Sequence, residues 1–526
     1  MPDTLSALDF GVSPSATDNA RAFARVCHAL RNHPGATLVI PPGIYHMHPL
    51  EATGAQVWLT NHDNGFDRRI ALDLQGLRDV TIEGAGATLM LHGQIVPLLL
   101  RDCRNVTIRG LTIDWATPLH AWGEVIGGWN GFLDVRVTAG HPWRIHRERL
   151  AFVVDGKNEE MWGSYACDPV TLGNLAGSGD HCGTAWGVPW IAEDRGNGVV
   201  RLLTHTPKVP PVGTTLILRH GDRIAPAIAA DRCRDLRLDH ITIHQASGMG
   251  VLCQRCWNVT LSGVKVIPSA GRPLSANHDA THFLACRGTV RVDGGTFTHQ
   301  LDDGLNCHGL YAPVTARDGK RILVRLVHAQ QRGNLVAEPG EKLGIIDQET
   351  LRTIQERTVV EVLPLSAEFT ELTLDAALPE TAKIAVENLD WRCDLAVTGN
   401  RFAHNRARGV LVSNGLTALV ADNHFTIPGA AVLVAVDANF WYESGATRDI
   451  AIRGNRFDHC AVGGNGWGDA VILVKPEIQR HDGPVHGRIA VTGNTVTGGG
   501  ATFADVSGCA EFVAEGNIGA GTVVRR

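Results

Sequence analysis

The sequence predicts an all-β chain: a right-handed parallel β-helix with two inserted small β-barrel domains. Three observations predict it. A column of apolar residues recurs at relative positions 0, +2 and +7, and an asparagine recurs at +5 in the later copies. Several neighbouring copies stand 23 residues apart, as do Asn400 and Asn423, or Asn494 and Asn517. A short period of this kind, with several short strands per copy, marks a solenoid. One coil cannot bury its own apolar face, so coils stack into a continuous core.

The bulk properties suit this class. The chain has 526 residues, of which 59 are glycine; hydrophobic residues make up 44% and charged residues 19%. That is ample for a large core and more than one domain. The net charge of −6 is mild and unclustered, which argues against a nucleic-acid partner. No apolar run approaches the roughly 18 residues of a membrane span, so no membrane partner is expected. Met1 to Phe10 lacks a basic stretch followed by an apolar one. The expectation is therefore a cytoplasmic protein, or an exported one whose signal is no longer attached. The sequence leaves a homodimer open.

The elements follow in order. Asp18 or Asn19 is placed to cap a helix at Ala20, with Ala20, Phe23, Ala24, Cys27 and Leu30 on its apolar face and Pro34-Gly35 at its end. Such a helix is a natural lid for an open solenoid end. The strand from Thr37 to Ile40 follows. The repeat then runs through Val106, Ile108 and Ile113; Leu236, Leu238 and Ile243; Val259, Leu261 and Val266; and Val290, Val292 and Phe297. It resumes with Leu395, Val397 and Phe402, and continues through Ala418, Ile450 and Ile489. Asn400, Asn423, Asn455, Asn494 and Asn517 form the +5 column, where stacked amides can hydrogen-bond along the helix.

Cys103, Cys233 and Cys256 share one phase, with Cys286 and Cys393 close to it, which reads as an inward stack of thiols rather than disulfides. Cys253-x-x-Cys256 resembles half a zinc site, but no second pair completes it. No metal and no cofactor are expected.

Two stretches break the period. The expected organisation is a capping helix and first coils over 1–115, a first β-barrel over 116–230, acid-bearing coils over 231–309, a second barrel over 310–390 and final coils over 391–526. The second barrel leaves the helix just after the acid-rich stretch and is expected to overhang it.

That stretch runs from Asn277 to Gly309. Hexapeptides starting at Gly248, His278, Asp302, Ala407, Gly429 and Gly468 align, each with Gly or Ala third. The alignment puts Asp279, Asp303 and Arg408 at one phase on successive coils, with Asp302 one residue away. Carboxylates one coil apart cannot all ionise freely, so at least one pKa rises. An acid kept protonated beside one kept ionised suits hydrolysis of a glycosidic bond. Acids offset this way are expected roughly 6.5–9.5 Å apart, the inverting range. His278 and His282 are read as substrate hydrogen-bonders or packed polar groups, since no helix or intervening Glu makes a zinc site of them, and Asn306 and His308 alternate outward toward the same cleft as further substrate contacts. Asp437 to Ser444 concentrates aromatics and acids, and Trp441 and Glu443 are candidate sugar contacts.

At these residues the chain resembles glycoside hydrolase family 110. The likeness rests on Asn277 to Phe283, Leu301 to Gly309, Asn405 to Leu411, Trp441 to Ala446, Asn61-His62-Asp63 and the stretch from Val106 to Trp115. The resemblance implies a β-helix with two inserted barrels and an inverting exo-α-1,3-galactosidase. Its substrate would be a galactose-terminated glycan of blood group B or linear Galα1-3Gal type. It implies Asp302 as the general acid, with Asp279 and Asp303 sharing the water-activating role. Gly304-Leu305-Asn306-Cys307 departs from the family's usual residues after the acid pair. Two alternatives stay open: a polygalacturonase-like inverting hydrolase, and a non-catalytic carbohydrate-binding β-helix.

Overall fold

A computed structural model describes residues 3–526 except 63, 64, 66, 130, 176, 179–181, 183–189, 204–208, 222, 379–382 and 463–465. Three parallel sheets run the length of a β-helix. Each coil contributes a strand to the first sheet, then the second, then the third, as with Arg234–Asp239, Thr242–Ile243 and Val251–Gln254. The first sheet has 12 strands and the second has 10.

The coils stack in the register read from the apolar column. Val106 pairs with Leu236 across the first insertion, and Val290 with Leu395 across the second. Leu236, Val259 and Val290 pair in turn, as do Leu395, Ala418, Ile450 and Ile489. These side chains fill one continuous core. Phe297, Phe402, Phe425 and Phe457 stack through it with ring centres 5.1–5.3 Å apart. The asparagine column forms a ladder: each Nδ2 donates to the next Oδ1 at 2.9–3.0 Å from Asn400 to Asn517. The same Oδ1 atoms accept backbone N–H groups, so the ladder satisfies a buried turn in each successive coil from Asn400 to Asn494. All twelve thiols are free, and the Cys307 and Cys393 sulfurs touch at 3.7 Å.

The lid helix spans Ala20–Arg31 and joins the same core. Asp18 supplies the cap, accepting the Ala20 N–H at 2.9 Å, while Asn19 turns back to accept from Ser13 N–H. Ala22 and Val26 are buried and Ala24 is only half-buried, so the apolar face lies slightly round from the expected one.

The aligned hexapeptides hold register except the last. Val432 pairs with Ile472, one residue beyond the expected Val471. The Val471 carbonyl accepts from both Ala431 and Val432 N–H, a bulge that starts the strand late.

Both insertions are β-structures with their own cores. The first has a six-stranded antiparallel sheet that includes Ala121–Trp129, Phe132–Val137 and Thr215–Arg219. A three-stranded sheet, Trp143–His146 to Lys157–Glu160, shares its core. The second insertion is a closed antiparallel barrel. Leu305–Asp318 pairs with Arg321–Arg325, then come Phe369–Leu374, Thr353–Pro364, Lys342–Asp347 and Ile384–Asn388, which returns to the first strand. One strand, Leu305–Asp318, thus serves coil and barrel together, and the boundary expected after Gly309 falls inside it.

The ladder makes an end-versus-middle comparison possible. Asn423→Ala should cost about 2–4 kcal/mol, because it strands several buried groups at once. Asn517→Ala, at the ladder's end, should cost about half as much. Urea unfolding of both variants checks this, and equal losses would count against a cooperative ladder.

Candidate active site

The third-sheet strands set the geometry. Thr281–Leu284 stacks on Leu305–Asp318, pairing Thr281 with Leu305, and Leu305 pairs onward with Val410. Two residues upstream, this register puts Asp279, Asp303 and Arg408 in one column at the corner between second and third sheets. The backbone keeps the column tight: Ala280 N–H donates to Asp303 O at 2.9 Å, and Gly304 N–H to Arg408 O at 3.0 Å. A Cβ at Gly304 would come within 2.4 Å of the Phe402 ring and 2.6 Å of the Gly409 carbonyl oxygen. Glycine there is therefore a packing requirement, which accounts for the small third residue of the hexapeptide.

Three buried carboxylates meet at this corner. Asp303 accepts a two-pronged bond from Arg408, Nε at 2.9 Å and Nη2 at 3.0 Å, and a third from the Arg408 backbone N–H. Asp302 lies between Arg223 at 3.2 Å and Arg406 at 3.4 Å. Asp279 Oδ2 is 2.7 Å from His282 Nδ1, and its Oδ1 accepts from Asp303 N–H. One oxygen from each lies within 4.8 Å of one oxygen from each of the others. Oxygens so gathered could surround a cation, but guanidinium N–H groups already occupy Asp302 and Asp303.

The electrostatics separate the acids. Burial, reinforced by the Asp302 charge, pushes Asp279 up to about 7. Burial also pushes Asp303 up, to about 7, against the pull of Arg408. Burial acts on Asp302 too, but Arg406 and Arg223 overcome it and hold this carboxyl at about 2. The free site therefore favours protons on Asp279 and Asp303, with Asp302 ionised. That distribution is opposite to the donor role the resemblance implies for Asp302.

A cavity of about 290 Å³ opens above the acids. Asp279, Asp302, Asp303, His278, Asn306, Arg408, Trp441 and Glu443 all line it, as the sequence anticipates. His282 and His308 do not. Both side chains are fully buried behind Asp279. The reason is local: Gly309–Leu310 pairs antiparallel with Glu443–Ser444, which roofs over His308 just where the strand leaves for the barrel. His278 contacts the Arg219 guanidinium at 3.1 Å. Of the Asn61-His62-Asp63 motif, Asn61 lines the cavity, His62 is buried, and Asp63 lies outside the described residues.

Several wall residues escape sequence reasoning. Trp162, Tyr165 and Arg219 come from the first insertion, Arg223 from the segment after it, and Gln330 from the second. Arg219 stacks over Trp162 at 3.8 Å, and Arg406 over Trp467 at 4.3 Å. Arg406 was within reach, two residues from Arg408 in a column already aligned. The others are distant from the acids along the chain, and no spacing links them.

Comparison with known proteins adds an independent finding. Residues 122–216 match the family model described as GLAA-B beta-barrel domain I, and residues 321–385 match GLAA-B beta-barrel domain II. An alpha-1,3-galactosidase B of Bacteroides thetaiotaomicron is 31% identical over 505 residues, covering 93% of this chain and 82% of its own length. An alpha-1,3-galactosidase A of Shewanella woodyi is 29% identical over 87% of this chain and 76% of its own. An alpha-1,3-galactosidase B of Akkermansia muciniphila is 31% identical over 91% and 61%.

The raised carboxyl fixes the sign of a pH effect. Between about pH 4 and pH 7 the folded chain holds a proton on Asp279 that the unfolded chain has released, so ionising this site costs stability as pH rises. Asp279→Asn removes that cost. Its melting temperature minus the parent's should increase from pH 4.5 to pH 7.5, by a few degrees in all. Paired thermal scans across that range check it. A difference independent of pH would mean Asp279 is not a buried proton acceptor.

Proposed function

The chain belongs to the α-1,3-galactosidase family, glycoside hydrolase family 110, and is a glycoside hydrolase acting on a glycan; from this premise we propose that it releases terminal α-1,3-linked galactose. The observation that carries the proposal is the acid column itself. Asp279, Asp302 and Asp303 meet at the floor of a sugar-sized cavity walled by Trp162, Tyr165, Trp441 and Trp467. A protein that only bound sugar would have no use for three carboxyls held at such different proton affinities. Walls contributed by both insertions favour a pocket for a chain end over an open groove, which suits exo-cleavage.

The proposed reaction is direct displacement. Asp302 gives its proton to the glycosidic oxygen as the bond to C1 breaks. Water attacks C1 from the opposite face, and its proton passes to Asp279 or Asp303. The sum is one water added, one galactose released with its configuration inverted. The free site must rearrange first, because Arg223 and Arg406 keep Asp302 ionised. Sugar hydroxyls that take over those guanidinium bonds would free Asp302 to accept a proton from Asp303, leaving the Asp279 proton in place. Asp303, gripped by Arg408, is the better fixed of the two water-facing acids. His278, Asn306, Trp441 and Glu443 are proposed to orient the galactose. Blood group B and linear Galα1-3Gal termini are the proposed substrates.

Two measurements test this reading. A panel of α-1,3-, 1,4- and 1,6-linked galactosides should yield free galactose from the 1,3-linked members, and Asp302→Asn should lower that rate about 10²–10⁴-fold. Proton NMR of the first product should show β-galactose. α-Galactose appearing first would replace direct displacement by a double one, and full activity of Asp302→Asn would remove the acid from its role.

A further inference from the structure

Behind the cavity lies a chain of buried hydrogen bonds that the reaction just described leaves unused. Asp279 Oδ2 faces His282 Nδ1 at 2.7 Å. His282 Nε2 faces His308 Nε2 at 3.0 Å, with the rings nearly perpendicular. His308 Nδ1 is 2.7 Å from the carbonyl oxygen of Gly309. His308 Nε2 also lies 3.5 Å from Glu443 Oε1.

Counting protons along this chain leaves few choices. The Gly309 carbonyl only accepts, so His308 Nδ1 carries a hydrogen. The contact between the two Nε2 atoms needs one hydrogen, on either side. If His282 provides it and both rings are neutral, His282 Nδ1 is bare, and Asp279 must be the carboxylic acid that donates to it. If His308 provides it, His308 is an imidazolium, His282 carries its hydrogen on Nδ1, and Asp279 is a carboxylate. Both states hold three protons. They interconvert by moving one hydrogen within each of two existing bonds, with no heavy atom displaced.

We propose that Asp279, His282 and His308 form a proton shuttle with Glu443 as its counter-charge, so that Asp279 enters the reaction ionised while its proton is parked on His308. This inference rests on the galactosidase reading above and assigns two positioning residues to it. Buried rings disfavour the imidazolium, and desolvation lowers His282 well below its ordinary value. The Glu443 carboxylate stands 3.5 Å from His308 Nε2. Around Asp279 the other charges are Asp302, Asp303, Arg223, Arg408 and Glu443; around His282 they are His308, Glu443, Arg223 and Asp302. Ionised Asp279 then takes the proton of the attacking water as the O–C1 bond forms. Asp279 then hands that proton through the cavity to Asp302, replacing the one given to the leaving oxygen, and the parked proton returns from His308 to Asp279 by the same two shifts in reverse, so the cycle closes.

His308→Gln tests the shuttle, because glutamine can occupy the hydrogen bonds but cannot pass a proton on. Asp279 should then keep its proton to higher pH. The acidic limb of the kcat profile should move up by about one pH unit, and kcat near neutrality should fall about fivefold with KM little changed. An unchanged kcat overturns the proposal. So does a fall in kcat with an unmoved limb, which marks packing alone. If the variant does not fold, ¹⁵N-histidine NMR of the parent decides the question without any assay. Neutral His308 should carry its hydrogen on Nδ1, with neutral His282 carrying its own on Nε2. A neutral His308 beside an Nδ1–H tautomer of His282 fits neither state and overturns the shuttle. Because tautomers are read without substrate, this result stands apart from whether galactose is released.

Discussion

Coil-on-coil register is the constraint on which the rest depends. A carboxylate column exists only if Thr281, Leu305 and Val410 stand one above another, and they do so because each coil is pinned on its far side. The asparagine ladder fixes one turn and the phenylalanine stack fixes the core beside it. A slip of one residue would send every side chain of a strand to the opposite face. The bulge at Val471 shows that such a slip is tolerated in the later coils, away from the acids. In the acid coils the close approach of Gly304 to Phe402 and to the Gly409 carbonyl leaves no room for it.

Burying three carboxylates together is costly, and the structure offsets the cost with three guanidiniums. They arrive by separate routes. Arg408 comes in register from the next coil, Arg406 from the turn before it, and Arg223 from the segment that follows the first insertion. Their distribution is uneven, and the unevenness is what gives the site its chemistry. Asp302 has two arginine partners, Asp303 one, and Asp279 a neutral imidazole. Three identical side chains thereby acquire two unlike proton affinities, low at Asp302 and raised at Asp279 and Asp303, which is the usual way one kind of residue performs both acid and base work.

Much of this was legible in the sequence because it is periodic. The apolar column, the ladder, the thiol stack and the pairing of Asp279 with Asp303 and Arg408 all follow from counting residues along a repeat. What was not legible is aperiodic. Trp162 and Arg219 sit in a domain whose docking leaves no trace in the spacing. His282 and His308 illustrate a subtler failure. Alternation along a strand places them on the outward face, where a cleft is expected. It does not reveal that Glu443–Ser444 folds back over that face.

The two insertions occupy complementary corners of the coil. The first replaces the turn from second to third sheet, between Thr112–Trp115 and Ile228–Asp231. The second replaces the turn from third to first sheet, between the coil part of Leu305–Asp318 and Cys393–Thr398. They therefore rise from the two opposite long edges of the third sheet. A β-helix face is nearly flat and would leave carboxylates in water, with ordinary proton affinities. Walls raised on both edges turn that face into a cavity floor and exclude solvent from the acids. The same walls carry Tyr165, Arg219 and Gln330 to the cavity. Recognition and acid tuning thus have one structural cause. A change that loosened either insertion from the third sheet would be felt in the protonation of the acids as well as in the shape of the pocket.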